Sequence, residues 1–175
     1  MSIGIVAEDG REFYRQSTEC ELWTANDWVK ENVLPHLEHP LWRKEVRKPW
    51  SPRGFIRLDL KEFLDIECYG KPEFWGYYAD YDWVAFCQLW GTMMDLPKGW
   101  PKYCMDIKQW CKQLGDPALP EQGKGEHHAL ADARWNRTAW EFLREIERDN
   151  AFRNSAAACG ETVSQVRVPT SARRG

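Results

Sequence analysis

The order of hydrophobic patterns along the chain constrains its fold more than any other feature. The apolar run Ile3-Gly4-Ile5-Val6 leads into the turn signal Glu8-Asp9-Gly10, and residues from Arg11 to Thr18 then alternate loosely. This turn chemistry between β-branched stretches predicts a β-hairpin. The hairpin is followed by helix, strand, helix, short-element and helix patterns, which predict an α/β fold with a mixed sheet.

The later elements follow from periodicity, capping residues and breakers. Residues 40–56, rich in proline and basic side chains, read as a surface loop. The remaining predictions are a short helix over Asp27–Asn32, an amphipathic helix over Ile56–Ile66, a strand over Phe74–Tyr78 buried on both faces, a helix over Tyr81–Trp90, a short element over Tyr103–Leu114 and a long helix from His127 to Arg148.

Composition limits the classes of protein that fit. The chain has 175 residues, of which 43% are apolar and 14% aromatic, so a single packed domain is expected. No apolar run approaches the roughly 18 residues of a membrane span. The six cysteines include no C-x-x-C pair, which argues against a zinc site and is typical of reduced thiols in a cytoplasmic protein.

Charge divides the chain into an acidic body and a basic end. The net charge is −3, but residues 151–175 hold four arginines against one glutamate, so residues 1–150 carry −6. An acidic body fits a carboxylate site neutralised by metal ions better than a nonspecific coat for nucleic acid. We interpret residues 1–149 as one domain and residues 150–175 as a disordered basic tail.

The stretch from Glu126 to Arg134 places His127 five residues before Asp132 at the start of the longest helical pattern. Five residues span about one and a half helical turns, so His127 would lie in the loop or first turn while Asp132 points in from the helix. A metal-holding carboxylate with an imidazole beside it requires this arrangement. The alternative is a solvent-facing aspartate with a histidine that only caps the helix.

A second candidate stretch has Asp82 where an aromatic strand pattern becomes a helix. Its alternative role is to stabilise the helix N-terminus. Trp83, next in the chain, is a candidate for stacking on a nucleic-acid base, with core packing as its alternative.

These residues resemble a known family. Asp82, followed by His127-x4-Asp132, is similar to the last two motifs of the DEDDh 3′→5′ exonucleases, which have a ribonuclease-H-like fold. Within that superfamily the stretches Ser2–Glu12, Ile56–Leu64 and Tyr81–Gly91 resemble the mycobacterial polyadenylate-specific exoribonucleases of the RNase AS type. The resemblance covers residues 2–146.

The resemblance implies a mechanism and a set of partners. Asp82 and Asp132 would ligate two Mg²⁺ ions, with Mn²⁺ as a possible substitute, and His127 would be the general base. The substrate would be an RNA 3′ end, with adenylate-rich ends preferred, and the products would be nucleoside 5′-monophosphates. The resemblance also implies a homodimer.

One motif of that family has no counterpart at the matching place. It is Asp-x-Glu on the first strand, whereas Met1 falls inside what would be the second strand, and Glu8-Asp9-Gly10 is a turn. We therefore expect a ribonuclease-H-like sheet that lacks its first strand, and a reading frame that continues upstream of Met1. A catalytically inactive RNA-binding or dimerisation module, and a DNA exonuclease of the same superfamily, are the alternative functions.

Overall fold

The protein is described by a computed structural model of residues 2–37, 50–123 and 125–158. In it the N-terminal hairpin forms as predicted. Strand β1, Ser2–Val6, pairs antiparallel with β2, Glu12–Ser17, and Gly10 at φ +91° closes the turn between them. Strand β3, Trp50–Ser51, adds in parallel to the other edge of β2. Residues 40–49 of the predicted basic loop lie outside the described residues, and its last part is β3 and the start of a helix.

Six α-helices occur in the described ranges. Asn26 caps the first through its side chain, which accepts from the Val29 N–H, so the short helix predicted at Asp27–Asn32 is confirmed. No helix in these ranges has both the length and the apolar character to cross a membrane. The helices are α1 Asp27–Asn32, α2 Arg53–Phe63, α3 Ile66–Tyr69, α4 Asp80–Cys87, α5 Ile107–Gln113 and α6 Ala129–Ala158.

A second, smaller sheet carries the chain into α4. Strand β4, Trp75–Gly76, pairs in parallel with β5, Met105–Asp106. The prediction of a five-residue strand over Phe74–Tyr78 is wrong in length, because Tyr78 takes a left-handed conformation at φ +52° and turns the chain out of the strand. The α/β class is confirmed, with two small sheets among the described residues instead of one.

The hydrophobic core has two parts. One lies between the hairpin, α2 and α4, and it includes the fully buried Ile56 and Leu60. The other lies between α5, α6 and β4, where Ile107 and Leu143 are fully buried and four tryptophan rings pack around the cluster. Each sheet is therefore attached to its own cluster of apolar side chains.

Helix α6 joins the two parts by lying against β1. At Gly4 an added Cβ would be 2.3 Å from the Ala129 carbonyl oxygen, so the strand and the first turn of the helix meet backbone to backbone. All five residues of β1 are only half-buried. The reason is that a large cavity lies beside the strand, as described below.

The C-terminal helix is longer than its sequence pattern indicated. α6 continues from Ala129 to Ala158, so the prediction of a disordered tail from Asn150 is wrong for residues 150–158. Nothing in the helical turns after Arg148 stops the helix, since alanine, arginine and asparagine all continue it at small cost. The rest of the predicted tail lies outside the described residues.

The contact between Gly4 and α6 predicts that Gly4→Ala will destabilise the protein. A methyl group there overlaps backbone that cannot rotate away, and forced repacking of this kind costs about 1–3 kcal/mol. Gly123→Ala is the matched control, because a Cβ at Gly123 has no atom within 4 Å. Urea unfolding of both variants measures the difference, and equal stabilities would mean that β1 and α6 are not packed this closely.

Candidate active site

A cavity of about 840 Å³ separates the two sheets. Its walls include the whole of β1, the β4 residues Trp75 and Gly76, and the carboxylate residues Asp82 and Asp132. A volume of this size is in the range of ligand-binding sites in proteins. The cavity thus brings together three of the four site residues predicted from the sequence, Asp82, Trp83 and Asp132, but not His127.

Asp82 reaches the cavity from the first turn of α4. It is the third residue of the helix, and no side-chain hydrogen bond caps this helix, so Asp82 does not act as the N-cap. Its side chain is open to the cavity, yet protein surrounds it closely enough to restrict its hydration. Burial therefore raises the pKa of the Asp82 carboxyl above its usual range, and the charge of Asp132 raises it further.

Asp132 enters from α6 and organises the loop before that helix. Its Oδ1 accepts hydrogen bonds from Gln122 Nε2 at 2.7 Å and from the His127 backbone N–H at 3.2 Å. Burial raises the pKa of Asp132, while these two hydrogen bonds and the nearby His127 and His128 imidazoles partly oppose the rise. Asp132 thereby holds the backbone of His127 close to α6, the helix to which Asp132 itself belongs.

His127 lies in the loop two residues before α6, as the spacing predicted. It has the left-handed conformation at φ +69°, which is disfavoured for a residue with a Cβ and is held here by its N–H bond to Asp132. The exposed ring meets Trp28 edge to face, with centroids 5.1 Å apart. His128 is stacked on Tyr14 at 4.7 Å. Two aromatic rings therefore support the two histidines.

Trp83 belongs to the aromatic part of the core. Its ring stacks on Phe86 with centroids 5.5 Å apart and also contacts Phe74 at 5.3 Å. Part of the residue still lines the cavity wall. These contacts favour core packing, and the substrate contact stays a prediction.

The cavity wall is electrostatically suited to bind a cation. Asp82 and Asp132 are close enough for the charge on one to raise the pKa of the other, and both are desolvated. The thiol of Cys104 lines the same wall, where burial and the charges of Asp106 and Asp82 raise its pKa to about 12. A thiolate nucleophile is therefore disfavoured, whereas a bound cation would relieve the repulsion between the carboxylates.

Asp82 and Asp132 have the donor chemistry of a divalent-metal site. Hard carboxylate oxygens are the ligands that Mg²⁺ prefers, so the donor type fits. In the described ranges, however, no group of three or more histidine, cysteine, aspartate or glutamate residues is placed to hold a metal ion. Asp82 and Asp132 fit Mg²⁺ by donor type, and further ligands would be required to hold an ion.

Several residues near the site carry no signal that sequence reasoning used. Gln122 lies in a proline-rich loop and is identified only by its bond to Asp132. Trp28 and Tyr14 become neighbours of the histidines only through the path of the chain. The high tryptophan content indicated surface rings in general, but did not indicate which ones lie at the site.

The fold and the cavity define an α/β protein with a paired-carboxylate site and an imidazole at its edge. Comparison with known proteins gives the family. Residues 1–144 match the 3′-5′ exoribonuclease Rv2179c-like domain, and the chain belongs to this family.

Two curated relatives come from Mycobacterium tuberculosis. They are named 3′-5′ exoribonuclease Rv2179c, from strain ATCC 25618 / H37Rv, and 3′-5′ exoribonuclease MT2234.1, from strain CDC 1551 / Oshkosh. Each is 43% identical to this chain over 134 residues, which cover 77% of this chain and 77% of the relative.

The raised pKa of Asp82 predicts that Asp82→Asn will raise the melting temperature of the metal-free protein at pH 7–8. A carboxyl with a higher pKa in the folded state than in the unfolded state opposes folding when ionised. That penalty is present above the raised pKa and disappears as the pH falls below it. The gain should therefore shrink toward about pH 3, where aspartate is largely protonated in both states.

Asp80→Asn is the matched control for this experiment. Asp80 is the first residue of the same helix and is exposed, as Asp82 is, but it does not line the cavity, so its charge mainly meets the favourable helix dipole. Melting curves from pH 3 to pH 8 should show stabilisation for Asp82→Asn alone. Equal effects at both positions would contradict the desolvation of Asp82.

Proposed function

We propose that this protein is a metal-dependent 3′→5′ exoribonuclease that hydrolyses phosphodiester bonds at RNA 3′ ends. The observation that carries the proposal is that Asp82 and Asp132 line one cavity, with the His127 backbone hydrogen-bonded to Asp132, in a chain that belongs to a 3′-5′ exoribonuclease family. The products would be nucleoside 5′-monophosphates. A preference for adenylate-rich ends belongs to the proposal on the basis of the resemblance alone.

The chain's own residues divide the work in this proposal. Asp82 and Asp132 would hold divalent metal, and the two hydrogen bonds to the Asp132 carboxylate both end on Oδ1, so neither occupies Oδ2. His127 accepts the proton of the attacking water. Its position depends on the bond between its backbone N–H and Asp132, so the metal-holding carboxylate and the base move together.

Two Mg²⁺ ions, or Mn²⁺ ions, would supply the charge that acidifies the water and neutralises the leaving oxygen. The desolvated carboxylates favour such a cation, since their charges otherwise repel. The aromatic surroundings of the histidines offer faces for a nucleobase, with Trp28 55% exposed beside His127.

We also propose that an extended segment carrying an Asp-x-Glu motif completes the site between β1 and β4. Both strands border the cavity, and in the described parts of the chain each has a single strand partner. The buried indole N–H of Trp140, on the same wall, has no acceptor among the described residues. A strand in the cavity would supply backbone partners, further carboxylates and the ribonuclease-H-like order of strands.

The proposed roles predict different defects for Asp132→Asn and His127→Ala. Asp132→Asn should remove nearly all cleavage of a 5′-labelled polyadenylate oligonucleotide and weaken Mn²⁺ binding, because the amide keeps the shape but loses the charge. His127→Ala should lower the rate roughly 10²–10⁴-fold and leave Mn²⁺ binding near that of the wild type, because the backbone N–H bond to Asp132 remains.

Asp80→Asn serves as the control for charge loss near the cavity. All of these variants are made in whichever form of the protein cleaves RNA, the 175-residue chain or the longer protein described below. Wild-type cleavage by Asp132→Asn would remove Asp132 from the site. An unchanged acidic limb of the pH–rate profile in His127→Ala would argue against His127 as the base.

The strand proposal predicts a gain of activity in a longer form of the protein, in which residues bearing Asp-x-Glu precede Met1. The longer protein should melt cooperatively, protect the β1 and β4 amides from hydrogen exchange, and shorten polyadenylate RNA in Mg²⁺. The 175-residue chain should show none of this cleavage. EDTA-sensitive cleavage by the 175-residue chain itself would mean that other residues complete the site.

The same assays separate the remaining candidates. RNA binding without cleavage by the longer protein identifies an inactive binding or dimerisation module, and faster cleavage of DNA identifies a DNA exonuclease. We also propose that the protein forms a homodimer and is located in the cytoplasm. The five cysteines in the described ranges are all free thiols, in keeping with a reducing compartment.

A further inference from the structure

We propose that Asp106 is a positioning residue that holds the turn before α4 and thereby places Asp82 at the cavity. The proposal rests on the function proposed above, because the position of Asp82 matters to catalysis only if that carboxylate holds metal. Asp106 is the last residue of β5, and it is paired in register with Gly76 of β4. It therefore lies where the second sheet gives way to α4 and α5.

The two oxygens of Asp106 bind two different elements. Oδ1 accepts the Gln109 N–H at 2.8 Å, which is an ordinary N-cap bond for α5. Oδ2 accepts the Ala79 N–H, also at 2.8 Å. A cap needs only the first of these bonds. The second ties Asp106 to the N-cap residue of α4, three positions before Asp82.

The turn that Asp106 holds is conformationally strained. Tyr78, directly before Ala79, is left-handed at φ +52°, a region that residues with a Cβ avoid. Such a conformation persists only where the surrounding contacts determine it. The Tyr78 side chain is 62% exposed, so the constraint falls mainly on the backbone, where the Ala79 N–H bond lies.

Packing restricts the same residue from the opposite side. Ala79 is 4% exposed, and a Cβ added at Gly76 would come within 2.9 Å of the Ala79 Cβ. Only glycine at position 76 lets Ala79 lie this close to β4. Ala79 therefore lies between β4 and the carboxylate of Asp106, and these two contacts fix the position at which α4 begins.

The test compares Asp106→Asn with Asp65→Asn. Asparagine keeps one acceptor oxygen, so it can serve the α5 cap or Ala79 but not both. Asp65 also caps a helix through one carboxylate oxygen, which accepts the Glu67 N–H, and Asp65→Asn controls for the loss of a charged cap. Hydrogen exchange over residues 79–83 and Mn²⁺ affinity by calorimetry are measured on the form of the protein that shows cleavage.

Asp106→Asn should speed exchange over residues 79–83 and weaken Mn²⁺ binding roughly 10- to 100-fold, the usual effect of losing a partner behind a metal ligand. Asp65→Asn should change neither. Adding Tyr78→Gly to Asp106→Asn should restore part of the metal affinity, because glycine adopts the left-handed turn without strain. A purely structural role for Asp106 would not produce this rescue.

Two results would overturn the inference, and they separate it from the proposed function. Unchanged exchange over residues 79–83 in Asp106→Asn would show that Asp106 does not hold the turn. If Asp106→Asn speeds exchange over residues 79–83 but leaves Mn²⁺ binding and cleavage at wild-type levels, then Asp106 holds the turn but Asp82 is not a metal ligand. The second result removes the proposed metal site, while the first leaves it standing.

Discussion

The backbone contact between β1 and the first turn of α6 is the constraint on which the candidate site depends. Gly4 lets the helix approach to a distance that any side chain would prevent. Asp132 and His127 lie at this end of α6, so the same contact sets their depth beside the cavity. The second sheet leads into α4, which brings Asp82 to the cavity, so the two carboxylates come from helices that pack in different apolar clusters.

The electrostatics of the cavity oppose stability and favour binding. Desolvation raises the pKa of both Asp82 and Asp132, and each carboxylate would be more stable in water. Among the described residues hydrogen bonds compensate this cost at Asp132, where Gln122 and the His127 N–H are the donors. Ion pairs elsewhere, such as the two-pronged contact of Arg134 with Glu12, lie at the surface and contribute little to the balance. A site of this kind gains most from a cation.

Local patterns predicted the elements whose formation depends on neighbouring residues. The turn residues predicted the hairpin, and the Asn26 cap predicted α1. An apolar face that includes the fully buried Ile56 and Leu60 predicted α2. The strand before α4 was predicted too long, because nothing in the sequence indicates that Tyr78 is left-handed. The end of α6 was missed because a polar composition is compatible with both a helix and a tail.

By itself the sequence determined the residue types of the site and the spacing of His127 and Asp132, since helical periodicity is a property of neighbouring residues. It also determined the α/β class through the order of its patterns. Only the tertiary structure decided that Asp82 lies near Asp132, that Gln122 and Trp28 accompany them, and that Asp106 reaches Ala79. Those contacts join residues far apart along the chain, and they arise from the packing of whole elements, which local patterns do not encode.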